Sequence, residues 1–499
     1  MEQGAADHRT LVPVLVFVGL MVAVISSLGA PLIPEIAARD EVALGTAEWV
    51  LTAAVLTGAL ATPLLGRLAD GAHQRRVVAG TLGTVLVGCV LAAVAPGFWV
   101  LVAGRALQGV GLGILPVNMA VARRMLPPAR AAAAIATLSV STAIGAGLGY
   151  PLTAAVAQVV GIRGAYWFGA AVVAVALATA WTALPARTAA RARPFDWAGA
   201  ALVSIGVVAI VVWLSEVGRW GAASATSVAV AATAAGALGA WVVHELRTSA
   251  PLVELRHLRT RSVLTADLSG FLMSMAMYLI LPVLVEFIQV PPSAGFGFGA
   301  SVLVSGFLLL PLSVGTFVAS RLLIPVERRI GVRALIPLGG LLFALAAASF
   351  ALTHRALWQA FGTMGLVGLA LGFTFAALPG LIIRSVPHEE TGSATGLYQL
   401  LRNVGLAAGS ALSAAILRAH TAPGHLVPAL GGFTTAMAVA AGLCLTAGAL
   451  GWLLTGAAGG RIVPEDPGAE AVMVDEAVLE ATGAMLTDDG DLEPGSPFG

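Results

Sequence analysis

Residues 48–96 read EWVLTAAVLTGALATPLLG (48–66), RLADGAHQRR (67–76) and VVAGTLGTVLVGCVLAAVAP (77–96). The outer two segments are nearly unbroken apolar runs of about 20 residues, the length a helix needs to cross the hydrocarbon of a bilayer. The short middle segment holds Arg67, Asp70, Arg75 and Arg76. Apolar, charged, apolar at these lengths describes two helices crossing a membrane and returning. Only a helix or a closed barrel can satisfy its backbone N–H and C=O groups there without water.

The same alternation runs outward in both directions. Spans fall near 11–33, 48–66, 77–96, 99–121, 134–158, 164–184, 197–217, 224–244, 262–289, 301–323, 334–353, 356–380, 391–418 and 432–456. The first is too long for a signal-peptide h-region and lacks a small-x-small cleavage site. Of the 499 residues 58% are hydrophobic and 11% charged, against roughly 25% charged in soluble domains. The expected fold class is therefore an all-α integral membrane protein with about fourteen transmembrane helices.

Arginine placement tests the count. All 27 basic residues are arginine. With the N-terminus in the cytoplasm, 20 of them fall in inside segments, five outside and two, Arg105 and Arg402, within spans. A missed span would invert every later loop, so this regular excess supports fourteen spans with both termini cytoplasmic. Residues 1–456 hold 26 arginines and 16 acids, whereas 457–499 hold one arginine and 10 acids. That acidic, Gly/Pro-containing tail has the composition of a disordered segment. The two cysteines, Cys89 and Cys444, lie in apolar spans and form neither a metal nor a disulfide pattern.

An internal repeat divides the chain. Residues 124–156 and 384–416 align without gaps, matching Arg124 to Arg384, Pro127 to Pro387, Gly145 to Gly405 and Gly149 to Gly409. One span upstream, Gly109-x-x-x-Gly113 echoes Gly368-x-x-x-Gly372, a spacing that lets helix backbones approach closely in lipid. Both repeats run in the same membrane direction. The expected organisation is a six-helix bundle over 1–190, two inserted helices over 191–246, a second six-helix bundle over 247–456 and the tail. Parallel repeats around a central site suit a carrier that rocks between two openings.

The loop Gly66-Arg67-Leu68-Ala69-Asp70-Gly71, followed by Arg75-Arg76, resembles the signature loop of the major facilitator superfamily. Within that superfamily the chain, over roughly residues 10–456, is similar to the 14-span drug:proton antiporters. The resemblance implies a cytoplasmic latch formed by Gly66, Asp70 and Arg75 or Arg76. Arg105-Ala106-Leu107-Gln108-Gly109-Val110-Gly111 matches the family's Arg-x-x-Gln-Gly-x-Gly stretch, which implies a part for Arg105 in proton transfer and a cavity position for Gln108. The bland reading of Arg105 is a side chain snorkelling to the outer headgroups. Gly145-Ala146-Gly147-Leu148-Gly149-Tyr150-Pro151 is similar to the family's antiporter motif, with Gly145, Gly149 and Pro151 at its key positions. Phe195-Asp196-Trp197 and Ser215-Glu216-Val217-Gly218 resemble the ends of the family's inserted helix. Where the family commonly has an acid in span 1, this chain has Ser26-Ser27-Leu28.

Proton exchange needs a group that titrates within the membrane. A carboxyl group taken out of water binds a proton more readily, which suits a carrier. Asp267, near the inner part of span 9, and Glu286, in its outer part, are the candidates; the alternative for Asp267 is pairing with nearby arginines at the inner interface. Arg402 in span 13 is a further cavity candidate, able to pair with an acid or meet an anionic substrate. No metal cluster, nucleophile set or phosphate loop supports an enzyme, and neither a cofactor nor a nucleic-acid partner is expected. The expectation is a monomeric exporter of hydrophobic small molecules in the plasma membrane, exchanging them for protons. A uniporter or importer of the same fold, or a receptor or scaffold, stands as the alternative.

Overall fold

The computed structural model describes residues 8–69, 73–185, 196–248, 251–252, 254–385, 391–422, 425 and 427–454. Asp70 and the acidic tail lie outside them. Among the described residues thirteen helical segments are long and apolar enough to cross a membrane. One of them conceals two crossings. The helical run Pro128–Ala183 contains Gly161 at φ 72 and ψ 175, a conformation that favours glycine. Before it, Gly145 lies against Leu20 and Gly149 against Ser27; after it, Gly169 lies against Ile25 and Leu28. The chain has therefore turned back along the same neighbour, and among the described residues the crossings number fourteen.

We label them α1 (His8–Ser26), α2 (Trp49–Ala69), α3 (Gln74–Ala93), α4 (Phe98–Gly109, resumed as Ile114–Met125), α5 (128–160), α6 (162–183), α7 (Trp197–Trp220), α8 (Ala225–Arg247), α9 (Arg261–Gln289), α10 (Val302–Leu308, resumed as Leu310–Ile330), α11 (Val332–Leu352), α12 (Leu357–Ser385), α13 (Thr391–Ala419) and α14 (Leu430–Leu454). Span 4 is not the single continuous helix its sequence suggests. Val110–Gly113 is a tight 3-10 turn, where Gly109 lets the α2 backbone at Ala54 press against it.

Local chemistry sets several helix ends. Asp196 accepts from the Gly199 amide at 2.8 Å, capping α7, and also meets His244 Nε2 of α8 at 2.9 Å. One aspartate thus starts one inserted helix and ties it to the other. Ser224 caps α8 by accepting from the Ser227 amide at 3.1 Å. Beyond α9, Gly295, Gly297 and Gly299 all take positive φ. They fold a loop that brings Phe296 and Phe298 onto Phe287 at ring distances of 5.9 and 5.8 Å.

The two halves are built alike. Gly145 and Gly149 of α5 seat on Leu20 and Val24 of α1, while Gly405 and Gly409 of α13 seat on Phe271 and Met275 of α9. Gly109 of α4 meets Ala54 of α2, while Gly368 of α12 meets Leu312 of α10. Lipid removes the hydrophobic drive for helices to associate, so close van der Waals packing of small residues carries much of the attraction. The repeated glycines are where that packing occurs. Apolar side chains form one large core that gathers α1–α6 with residues of α7, α8 and α13, and another around α9–α14.

The side carrying the short helix Ile33–Arg39, between α1 and α2, is here termed distal. Thr52 of α2 bonds Ser410 of α13 at 2.6 Å, and Asn403 donates to Thr62 at 3.3 Å. These contacts make α2 and α13 antiparallel, so the two halves share one membrane direction. Among the described residues, hydrogen bonds between the halves lie in the middle and on the distal side. They include Gln289 Nε2 donating to the Pro31 carbonyl at 3.0 Å.

A methyl group tests the glycine seams. Gly409→Ala places a carbon against the Met275 backbone and is expected to destabilise the protein by about 1–3 kcal/mol. Gly442→Ala meets open space and should be neutral or stabilising by up to about 1 kcal/mol. Thermal unfolding in detergent compares the two; equal effects would remove the seam argument.

Candidate functional site

Arg105 is 1% exposed. It does not snorkel: its Nη1 donates to Gln108 Oε1 at 2.6 Å, and its Nε to the Val50 carbonyl at 3.2 Å. Nη1 also lies 3.4 Å from the Ile25 carbonyl. Both carbonyls belong to the distal ends of neighbouring helices. Gln108 in turn donates to the Gly88 carbonyl at 3.2 Å. Gly29, at φ 151, leaves the room the guanidinium needs, since a Cβ there would stand 2.9 Å from Nη2. Nη2 has no hydrogen-bond partner. Arg105 and Gln108 thus form one polar unit inside the first half.

The chain has four tyrosines, and all four gather around the buried charges. Tyr150 and Tyr166 lie within electrostatic reach of Arg105. Tyr278 of α9 interacts with Tyr150 through their hydroxyls and lies within reach of Arg402. Tyr398 is near both Arg402 and Asp267. Arg402 stacks over the Phe375 ring at 4.6 Å, and its Nη1 lies 3.4 Å from Gln399 Oε1. A line of polar groups therefore crosses between the halves, from Arg105 through Tyr150 and Tyr278 to Arg402. Tyrosine normally collects at membrane interfaces; tyrosines inside spans are the sequence signal that marked this layer and that motif reading passed over.

Asp267 and Glu286, both on α9, are each 0% exposed, and neither carboxyl has a hydrogen-bond partner. Among the described residues no arginine forms an ion pair with Asp267. Sequence reading also missed a third acid. Glu48 is 0% exposed and accepts from Ser413 Oγ at 2.7 Å. Glu216 joins Trp49, which donates to it at 3.3 Å, and Arg418, at 3.6 Å. Arg418, which the sequence places in an outside segment, belongs to the last turn of α13.

The motif residues divide. Gly145 and Gly149 form the α1–α5 seam, and Pro151 lies beside Gly306 of α10, so the antiporter-like stretch is part of the distal contact between halves. Of the latch residues, Arg75 stacks on Trp181 of α6 at 4.1 Å. Arg76 is exposed, and Gly66 has open space around its Cβ direction.

A family model for the Major Facilitator Superfamily matches residues 15–410 and 266–485. An uncharacterised MFS-type transporter of Mycobacterium tuberculosis is 28% identical over 419 residues, covering 81% of this chain; the match covers 58% of that relative's length. Multidrug resistance protein Stp of the same organism is 25% identical over 390 residues, covering 78% of this chain and 72% of the relative. A putative multidrug resistance protein, MdtD of Serratia proteamaculans, is 26% identical over 376 residues, covering 74% and 76%. Among solved structures, a POT peptide transporter with sulfate superposes with a TM-score of 0.66 at 16% identity, over 90% of this chain and 94% of that one. The nucleoside transporter NupG gives 0.63 at 13% identity, over 89% and 99%. These structures share the fold.

Gln108→Leu keeps the volume but removes the one side chain hydrogen-bonded to Arg105 among the described residues. Leaving that buried cation short of an acceptor is expected to lower stability by about 1–3 kcal/mol, read as a fall in thermal midpoint in detergent. An unchanged midpoint would show that the backbone carbonyls suffice.

Proposed function

The chain belongs to the Major Facilitator Superfamily, and from that premise we propose that it exports hydrophobic small molecules by alternating access, in exchange for protons. The superfamily and the fold make it a multi-pass membrane transporter. The observation that carries the finer reading is the pair of fully buried, unpartnered carboxyls on α9, Asp267 and Glu286. A charged carboxylate inside a membrane protein costs several kcal/mol, by rough estimate, unless it is paired or protonated. A proton is the partner that a carrier opening to both sides can take up on one side and release on the other.

The multidrug-resistance names of Stp and MdtD support hydrophobic small molecules as the substrate class. We place substrate contact at the layer of Tyr150, Tyr278 and Arg402, where the halves meet. Aromatic rings with a polar tip suit apolar compounds carrying a few polar groups. Arg105, held by Gln108, supplies a fixed positive field beside that layer. The arginine excess supports the plasma membrane with both termini in the cytoplasm. The distal side is then extracellular, and the contacts there close the path outward. Asp70 with Arg75 or Arg76 would latch the opposite, cytoplasmic side when the carrier turns over.

The test is efflux of a panel of hydrophobic fluorescent dyes from proteoliposomes with an imposed pH gradient. The double variant Asp267→Asn/Glu286→Gln is expected to fall to the level of empty liposomes in uphill efflux while keeping downhill dye exchange. Uphill efflux at the parent rate would mean that neither acid carries the proton. In the same assay Asp70→Asn should slow both uphill and downhill movement without reducing the amount of inserted protein. Normal turnover would remove the latch.

A further inference from the structure

Glu48 stands at the edge of an apolar run, beside a sequence boundary. In the structure it is fully buried on the distal side, in the first half and facing the second. Ser413 of α13 donates to its Oε1 at 2.7 Å, while Oε2 has no partner. Arg418, farther along α13, acts on it as a counter-charge. From α9, Glu286 brings a second carboxyl, also without partners, near enough for the two acids to act on each other. Glu48 belongs to the first half; Ser413, Arg418 and Glu286 belong to the second.

Arg418 is not devoted to this pair. Its Nη1 donates to the Gly45 carbonyl at 2.9 Å and stands 3.6 Å from Glu216 Oε1 of the inserted helix α7. Arg219 faces the same Glu216 at 3.7 Å and acts on Arg418. Among the described residues the charged groups acting on the pair are thus Arg418, shared with Glu216, and the two acids themselves. One shared cation leaves a buried negative charge uncompensated when both acids are ionised, and such a charge is strongly destabilising away from water. Bringing the halves together on the distal side is what brings these acids together.

We propose that the Glu48–Glu286 pair must bind one proton before the distal interface can close, with Arg418 held between Glu48 and Glu216 as the counter-charge. The step forms one O–H bond, the proton arriving from hydronium on the open distal side. It is reversed when the proton leaves to water after the carrier has turned. Closure without the proton sets two negative charges against each other across the interface; closure with it leaves one, facing Arg418 and Ser413. This rests on the proton-exchange reading and specifies it, because it states which conformational step the proton permits.

The experiment reads the interface directly and needs no transported compound. Spin labels are placed at Glu41→Cys and Arg355→Cys, exposed distal positions on the two halves; the native Cys89 and Cys444 are buried. Distances between the labels are measured by pulsed electron resonance on the full chain in nanodiscs, from acid to alkaline pH. The expected result is a short distance in acid that shifts to a longer one as pH rises. Glu48→Gln and, separately, Glu286→Gln should lose the shift and give the same distance distribution at every pH, while Glu48→Asp should keep it. A parent protein whose distance ignores pH would overturn the proposal, as would either Gln variant shifting like the parent. The dye-efflux assay, run beside it, decides proton exchange separately. A pH-controlled interface without uphill efflux would sink the exchange reading and leave the gate standing.

Discussion

Backbone-to-backbone contact at glycine is what the architecture depends on. A helix in lipid gains nothing hydrophobic by leaving its lipid neighbours for another helix, so adhesion must come from packing and polar contact. In each half the decisive seams join a glycine helix to its partner: α5 on α1, α13 on α9, α4 on α2 and α12 on α10. These seams hold the helices close enough that any polar side chain between them is shut away from both lipid and water. The burial of Arg105 at 1% exposure follows from them. So does its dependence on Gln108 and on the carbonyls of Ile25 and Val50, since no water is at hand to replace them.

The charges that survive this burial fall into two groups with different surroundings. Arg105 is embedded within one half, bonded on several sides and seated against Gly29, an arrangement that fixes a positive field in place. Arg402 stacks on Phe375 and lies toward the tyrosine layer. The acids are treated differently. Asp267 and Glu286 are shut in without partners, and Glu48 has one oxygen satisfied and one not. The bonded cations and the unsatisfied acids stand on different helices.

Much of this was legible from the sequence, for identifiable reasons. The span count follows from the length of the apolar runs, which the bilayer itself imposes. The pairing of Gly145 with Gly405 and Gly149 with Gly409 was visible as a repeat because close packing tolerates so few residue types. Asp267 and Glu286 stood out because acids are rare inside spans. Glu48 did not, because a residue at the end of an apolar run reads as interfacial. Only the fold shows that α13 and α9 cover it. Arg418 was likewise assigned to a loop by its position at a span end, whereas α13 carries it into contact with Glu216. The turn at Gly161 was legible as the gap between the apolar runs 134–158 and 164–184, although the helical run itself continues through it. The break in span 4 was hidden in the glycines that read as a packing motif.

The contrast between contacts within and between the halves bears on how such a molecule could move. Within each half the glycine seams are extensive and apolar, and parting them would expose backbone to lipid. Between the halves the described hydrogen bonds come from side chains on at least one partner: Thr52 with Ser410, Asn403 with Thr62, Ser413 with Glu48, Gln289 with Pro31 and Arg418 with Gly45. Glycine brings the halves together at Gly45 and Gly306, both toward the distal side. Side-chain hydrogen bonds of this sort contribute little net stability each, on the order of 1 kcal/mol, because water or another polar group can replace them. Water reaching an opened distal side would satisfy the freed groups at small cost, whereas no solvent satisfies a parted glycine seam. The contacts within the halves and those between them thus differ in chemistry, glycine packing in the one case and side-chain hydrogen bonds in the other. The inserted helix α7 touches the interface between the halves through Glu216, which accepts from Trp49 of the first half and faces Arg418 of the second.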